Sequence, residues 1–449
     1  MARSVKHSVS EREQLESLVA QALELAVRQG ADQAEAEASS GSGLSATARL
    51  GEVENLEYTN DRGISITVYK DMRKGSASTS DMTPTAIAEA VEKASLFARL
   101  TAPDKYSGLA APEQMCTALA DIELDFPWSL DARAAIELAI RCESAALALD
   151  KRITNSEGAT VGSGRDIRTY GNTHGFIGSF RTSNHTVGCA VLGESGDEMQ
   201  RDYHYSVVRD PADLEDVEEV GRTAAARTIG RLGARQIETR PAPVLFVPEL
   251  ARGFIGHAIG AIAGEAQYRR ASFLLDALGE RIFPEFVDIL ERPHLSAGMA
   301  SRPFDADGVA TYDRDVVKAG VLEGYVLSCY SARRLGMETT ADAGGAQNLV
   351  IPGNAGGLED LVRAMGTGLI VEELIGQGVN PVTGDYSRGA VGHWVEDGEI
   401  RYPVHEVTIA GNLRELYRRI GAIGNDQDLR GRIRCGSLLV DEMMIAGAS

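Results

Sequence analysis

Cysteine is scarce. The 449 residues hold five (Cys116, Cys142, Cys189, Cys329 and Cys435), an odd number at wide spacing. That excludes both a disulfide framework and a Cys-x-x-Cys zinc ribbon, and a reducing cytoplasm is the expected compartment. Basic residues are outnumbered: 45 Lys and Arg stand against 65 Asp and Glu, a formal net charge of −20. This balance excludes a chain that tracks phosphate backbones, where clustered cations release counterions. It argues equally against an anionic membrane surface. Long apolar runs are also missing. The longest uncharged stretch near the middle, Gly253–Gly264, has 12 residues, well short of the ~20 a spanning helix needs. The N-terminal MARSVKHSVSEREQLESLV runs into a charged amphipathic helix instead of an apolar signal core. No GxxxxGKS/T phosphate loop, no GxGxxG after a strand and no GxSxG nucleophile elbow occurs.

Glycine is abundant instead. The 48 glycines make up roughly 11% of the chain against a usual ~7%. They are too dispersed for collagen or a linker, and predict many turns between strands. Ser10-Glu11-Arg12-Glu13 reads as a capping box, after which Leu15, Leu18, Val19, Ala22, Leu23 and Ala26 recur at helical spacing up to Gly30. A meander follows, with alternation at Ala34–Ala38 and Ile64–Tyr69 and a turn at Gly51-Glu52. Thr83-Pro84 opens a second helix. The order then recurs: a helix over 129–149, a turn-rich stretch over 153–208, and a helix over 211–231. Tyr58-x-Asn60-x-x-Gly63-Ile64 resembles Tyr170-x-Asn172-x-x-Gly175-Phe176, which points to an internal duplication.

The fold class expected is α+β, two domains built on mostly antiparallel sheets with packed helices. Residues 1–238 form the N-terminal half, with repeats over about 10–100 and 129–231, and residues 239–449 form the C-terminal half. Gly233–Pro243 reads as the exposed segment between them. The second half opens with a strand at Val244–Val247 and a helix over 249–264. Hairpin turns are read at Asp305–Gly308, Lys318–Gly320 and Glu396–Glu399, with a helix over 358–365.

Few residues offer metal chemistry. His174, His185 and His204 are spaced by 11 and 19, which fits no ligand pattern, and they read as surface or strand-packing residues. His393 and His405 flank the Asp397-Gly398 turn as candidate cross-strand neighbours. Asp305-x-Asp307-Gly308 lacks the later positions of a calcium loop and reads as a turn. In the helix after Pro248, Gly256, Gly260 and Gly264 share one face, and their helix cost predicts close packing against a sheet or a partner chain.

Long stretches of this sequence resemble a known family. GEVENLEYTNDRGISITVYKDMRKGSAS, GHAIGAIAGEAQYRRASFLLDALG, CYSARRLG, GTGLIVEELIGQGVNPVTGDYSRGAVGHWVEDGEI, HEVTIAGNL and IRCGSLL are similar to the TldD/PmbA family, the modulators of DNA gyrase, and to its PmbA/TldE branch. The resemblance covers essentially the whole chain. The TldD branch carries His-Glu-x-x-x-His and a C-terminal cysteine, a zinc site with an open position for water. The first histidine then falls at Arg252, the glutamate at Gly253, the second histidine at His257 and the cysteine at Cys435. Arg252 cannot donate a lone pair and would repel a cation, and Gly253 has no group to accept a proton. The resemblance therefore implies a non-catalytic subunit with no zinc of its own. Its partner in a heterodimer is a TldD-type metallopeptidase subunit that carries the zinc. The pair cleaves unfolded proteins or peptides, in microcin precursor maturation and antidote degradation. A homodimer in the partner's absence, no direct nucleic acid and no membrane complete the expectation. Two alternatives stand beside it: a zinc peptidase in its own right through His257 and Cys435, and a regulatory binding protein acting on gyrase or an RNA-binding regulator.

Overall fold

The computed structural model describes residues 10–447; the reading of residues 1–9 as lacking an apolar leader lies outside them. Ser10 opens α1 (Glu11–Arg28) with the expected capping box, Glu13 accepting the Ser10 amide at 2.7 Å. Leu15, Val19, Ala22, Leu23 and Ala26 are buried along one side of it. Strands β1 (Gln33–Arg49), β2 (Glu52–Lys70) and β3 (Arg73–Thr79) follow, then α2 (Pro84–Leu100), capped by Thr83. The same order returns as α3 (Ala132–Leu149), β4 (Ile153–Asn172), β5 (Ile177–Ser195), β6 (Glu198–Val208) and α4 (Val217–Gly230). All six strands form one antiparallel sheet in the order β3-β2-β1-β4-β5-β6, so the two groups of three meet at β1 and β4. Alternate residues at both ends of β1 are buried, Ala34, Ala36 and Ala38 under α1 and α2, and Ala48 under α3 and α4. Both helix pairs therefore cover one face, while Ser39, Gly41, Gly43, Ser45 and Thr47 lie on the other.

Three expectations change here. Helix α3 starts at Ala132, later than Ser129, because the Asp131 carboxylate accepts the Ala134 amide at 2.8 Å and caps it. The helix expected over 211–231 is split: Pro211–Asp213 is a 3-10 turn, and Asp216 caps α4. The Tyr58/Tyr170 match is not a structural correspondence. Tyr58, Asn60 and Gly63 sit inside β2, opposite Leu44, Ser42 and Ser39, whereas Gly175 turns the chain at φ +89°. The first repeat turns instead at Leu50-Gly51, φ +52° and +78°. Strand order carries the repeat.

The second half contains β7 (Arg240–Phe246), α5 (Pro248–Ala261), α6 (Gly264–Tyr268), β8 (Ile289–Glu291), β9 (Arg314–Lys318), β10 (Val321–Leu322), α7 (Cys329–Leu335), β11 (Leu349–Val350), α8 (Leu358–Met365), β12 (Gly368–Ile375), β13 (Asp385–Glu396), β14 (Glu399–Asn412), α9 (Leu413–Arg418), β15 (Ile420–Ile423), β16 (Ile433–Arg434) and β17 (Leu438–Ala446). Strands β13, β12, β7, β17 and β14 pair in turn, and β14 pairs back to β13, which closes a ring. Of the strand pairs described, β7–β12 and β11–β16 are parallel and the others antiparallel. The class is α+β. Strand β7 begins at Arg240, inside the segment expected to be exposed, because Pro241 and Ala242 lie opposite Met444 and Met443 of β17. The hairpin turns at Ala319-Gly320 (φ +46°, +77°) and Asp397-Gly398 (φ +54°, +74°) have left-handed backbone, which Gly320, Asp397 and Gly398 favour. No helix among the described residues is long and apolar enough to cross a membrane.

Candidate functional site

Helix α5 begins with Pro248 in its first turn and buries Ala251, Phe254, Ile255, Ala258 and Ala261 at spacings of three and four. Phe254 stacks on Phe246 with centroids 5.0 Å apart and meets Tyr417 edge-on at 5.1 Å. The Tyr417 hydroxyl donates to the Phe254 carbonyl at 2.9 Å. The helix is shorter than expected. Ile262 and Gly264 exchange backbone hydrogen bonds with Val326 at 3.2 and 2.9 Å, which ends it before Gly264. That strand-like contact also decides the glycines. A Cβ on Gly264 would fall 2.3 Å from Ser331 Oγ, so close packing is real there, but in α6. Within α5 no element of this chain packs closely on the glycines: nothing lies within 4 Å of a Cβ on Gly253 or Gly260, and Gly256 would meet only Ile433 Cδ1 at 3.6 Å. Gly253 and Gly260 leave the helix backbone exposed on this side.

Arg252, beside Gly253, is fully engaged. Its guanidinium reaches Asp428 Oδ2 at 3.1 Å, donates to the Tyr205 hydroxyl at 2.9 Å and to the Glu249 carbonyl at 3.2 Å. Asp428, almost fully buried, also holds Arg430 at 2.9 Å, and Arg430 reaches Glu249 at 3.0 Å. Arg430 lies over the Tyr205 ring, 4.5 Å from its centroid, and donates to the Tyr205 carbonyl at 2.9 Å. Arg227 of α4 adds a 2.6 Å bond to Glu249. Burial alone would raise the Glu249 carboxyl, but the Arg227 and Arg430 cations outweigh it and hold it at about 2. The network ties Tyr205 and Arg227 of the first half to α5 and the 428–430 segment of the second. Reading the sequence did not single out Tyr205, Glu249, Asp428 or Arg430. They are ordinary residues scattered over more than two hundred positions, and no local signal marks them.

The other two sequence-derived positions lie in different surroundings. His257 is half-buried beside the Tyr386 ring, at 6.1 Å. Burial and the Arg388 charge lower its basicity. Cys435 follows β16 and is fully buried, and burial together with the Asp426 carboxylate pushes its thiol up to about 12. No group of three His, Cys, Asp or Glu side chains among the described residues has the arrangement of a metal site. A cation at Arg252, a thiol held protonated and an imidazole facing Arg388 do not fit a divalent metal. His174, His185, His204, His294 and His393 are held by protein groups. His185 bonds Ser163 and the Phe126 carbonyl at 3.0 and 2.8 Å, and His174 lies 3.4 Å from Gln33. His393 faces Pro403 across the strand pair, not His405, because Gly392 pairs with Val404 and sets the register there. Its ring meets Glu372 at 2.9 Å and the Gly230 carbonyl at 3.1 Å. Asp305 turns the chain, as expected, by accepting the Asp307 and Val309 amides at 2.9 Å.

Three consecutive segments match one family: residues 34–98 its PmbA/TldA metallopeptidase domain 1, 125–232 its central domain, and 239–447 its C-terminal domain. The chain belongs to the PmbA/TldA metallopeptidase family. It is 47% identical over 438 residues to the metalloprotease PmbA of Escherichia coli O157:H7, covering 98% of this chain and 97% of that protein. A PmbA homolog of Haemophilus influenzae is 45% identical over 439 residues, covering 98% and 97%. Among solved structures, a Bacteroides thetaiotaomicron protein named as a modulator of DNA gyrase superposes with a TM-score of 0.93 at 26% identity, covering 98% of this chain and 100% of that one. TldE from Thermococcus kodakarensis shares the fold, with a TM-score of 0.81 at 21% identity over 97% and 100%.

Proposed function

We propose that this member of the PmbA/TldA family is the PmbA/TldE-type, non-hydrolytic subunit of a heterodimeric metalloprotease, with zinc held by a TldD-type partner chain. Arg252 carries the reading. At the position the family resemblance gives to the first zinc-binding histidine stands a cation bound to Asp428 and Tyr205, and the next residue, Gly253, supplies no base. The chain's part is then to complete a chamber for unfolded proteins or peptides in a reducing cytoplasm, in microcin precursor maturation and antidote degradation. The bare face of α5 and the Ser- and Gly-rich face of the first sheet are surfaces an extended chain can approach closely. The net charge of −20 favours a protein partner over nucleic acid.

The test uses the purified full-length chain, with and without a TldD-type subunit, on an unstructured peptide. The expected result is no stoichiometric zinc and no cleavage by the chain alone, cleavage by the pair, and pair activity retained in Cys435→Ala. Stoichiometric zinc and cleavage by the chain alone, both lost in His257→Ala and Cys435→Ala, would instead establish a peptidase acting through those two residues. An effect on gyrase supercoiling without any peptidase activity in the pair would establish the regulatory reading.

A further inference from the structure

The cleft where β6 meets the 426–434 segment encloses ≈ 610 Å³. Two buried polar atoms in its lining have no hydrogen-bond partner, His204 Nδ1 and Arg434 Nε. His204 is nine-tenths buried. Its Nε2 lies 2.8 Å from Glu215 Oε2, which fixes the ring with Nε2 as donor and leaves Nδ1, in the neutral imidazole, as a free acceptor. Arg434 has no carboxylate of its own. Asp428 is taken by Arg252 and Arg430, and Asp426 by Ser437 and the Leu358 amide. Burial is the one influence on the Arg434 guanidinium, and it works against the charge. A half-buried cation without a counter-ion and a buried acceptor without a donor are both costly. One ligand carrying an anionic group and an N–H would complete them together.

The strand beside them narrows the ligand further. β6 is the last strand of its sheet, and Ser206, Val207 and Val208 line the cleft, so its unpaired backbone edge borders the cavity. Arg430 occupies the Tyr205 carbonyl at 2.9 Å and closes that edge at one end. An unpaired edge accepts an extended chain, and the last residue of a peptide carries both a carboxylate and an amide N–H.

We propose that this cleft receives the free C-terminus of an extended peptide, its carboxylate on Arg434, its amide N–H on His204 Nδ1 and its backbone along the outer edge of β6. The proposal rests on the reading of the chain as a peptide-handling subunit and adds the end of the peptide that this chain holds.

Calorimetric titration of the full-length chain with trialanine, its C-terminal amide and acetate tests it. Because the carboxylate makes a charge-assisted bond, trialanine binds about ten-fold or more tightly than its amide, and acetate binds weakest. In Arg434→Gln that preference disappears while the weaker amide binding remains. In His204→Phe both peptides weaken and the preference for the acid persists. Arg133→Gln, on the exposed surface of α3, changes nothing. Melting curves identify any variant that fails to fold, and the two substitutions report separately. Equal affinity for trialanine and its amide in the unmodified chain, acetate binding as tightly as trialanine, or an undiminished preference in a folded Arg434→Gln variant would overturn the assignment. Binding is measured without partner or turnover, so its failure leaves the two-subunit reading standing, and failure of cleavage by the pair leaves the binding result standing.

Discussion

Arg252 has its three guanidinium nitrogens committed to Asp428, Tyr205 and the Glu249 carbonyl, so rebuilding a metal-binding sequence at this helix removes part of the bridge between the halves. The double substitution Arg252→His, Gly253→Glu removes the bridging cation. It lowers stability by about 1–3 kcal/mol through the lost charged hydrogen bonds. The denaturant midpoint measures this, and an unchanged midpoint would count against the bridge. Glu249 gives the network a pH signature. Its folded carboxyl titrates near 2 against a usual 4.5, so its contribution is present above about 4.5 and is lost as pH falls toward 2. The linkage is on the order of 2 kcal/mol. The gap in stability between the natural chain and Glu249→Gln should therefore narrow between pH 5 and pH 3; a gap unchanged over that range would exclude this role.

At the scale of elements, α5 shows what is legible in a sequence and what is not. Local signals held: the Ser10–Glu13 box, the Asp397-Gly398 turn and the apolar spacing of α1 are set by neighbours in the chain, so the residues alone place them. The end of α5 is set by Val326, some sixty positions away, and no periodicity contains it. The arginine and carboxylate bridge is hidden for the same reason, since Tyr205, Glu249 and Asp428 meet only once two sheets are assembled. The Tyr58 and Tyr170 match misled because strand register, not motif, decides which residues correspond. The glycines make a direct prediction. Gly260→Ala fills open space and should stabilise by about 0.5–1 kcal/mol, whereas Gly264→Ala meets Ser331 and should destabilise by about 1–3 kcal/mol. Thermal melts decide between these signs. If the bare face of α5 serves the chamber, Gly260→Ala also lowers cleavage by the pair while raising the melting temperature.

At the scale of the whole molecule, buried charge helps join the two halves, beside apolar contacts such as Tyr170 and Phe176 on Phe304. Besides the Arg252 network, Arg231 of the first half, nearly fully buried, pairs with Asp202 at 2.7 Å and with Glu373 of β12. Burial raises the Asp202 carboxyl, and the Arg231 cation opposes this. Arg231→Ala leaves Asp202 buried without its cation and should cost about 3–5 kcal/mol. Because the contact joins the halves, urea unfolding of that variant should split into two steps; a single unshifted transition would contradict the assigned role. The division of labour between two chains is tested most directly by pairing the natural chain with a TldD-type subunit whose motif glutamate is replaced by glutamine, and measuring peptide cleavage. The account predicts that activity falls to background although the pair still forms. Cleavage near the level of the unmodified pair would show that this chain carries a hydrolytic site of its own.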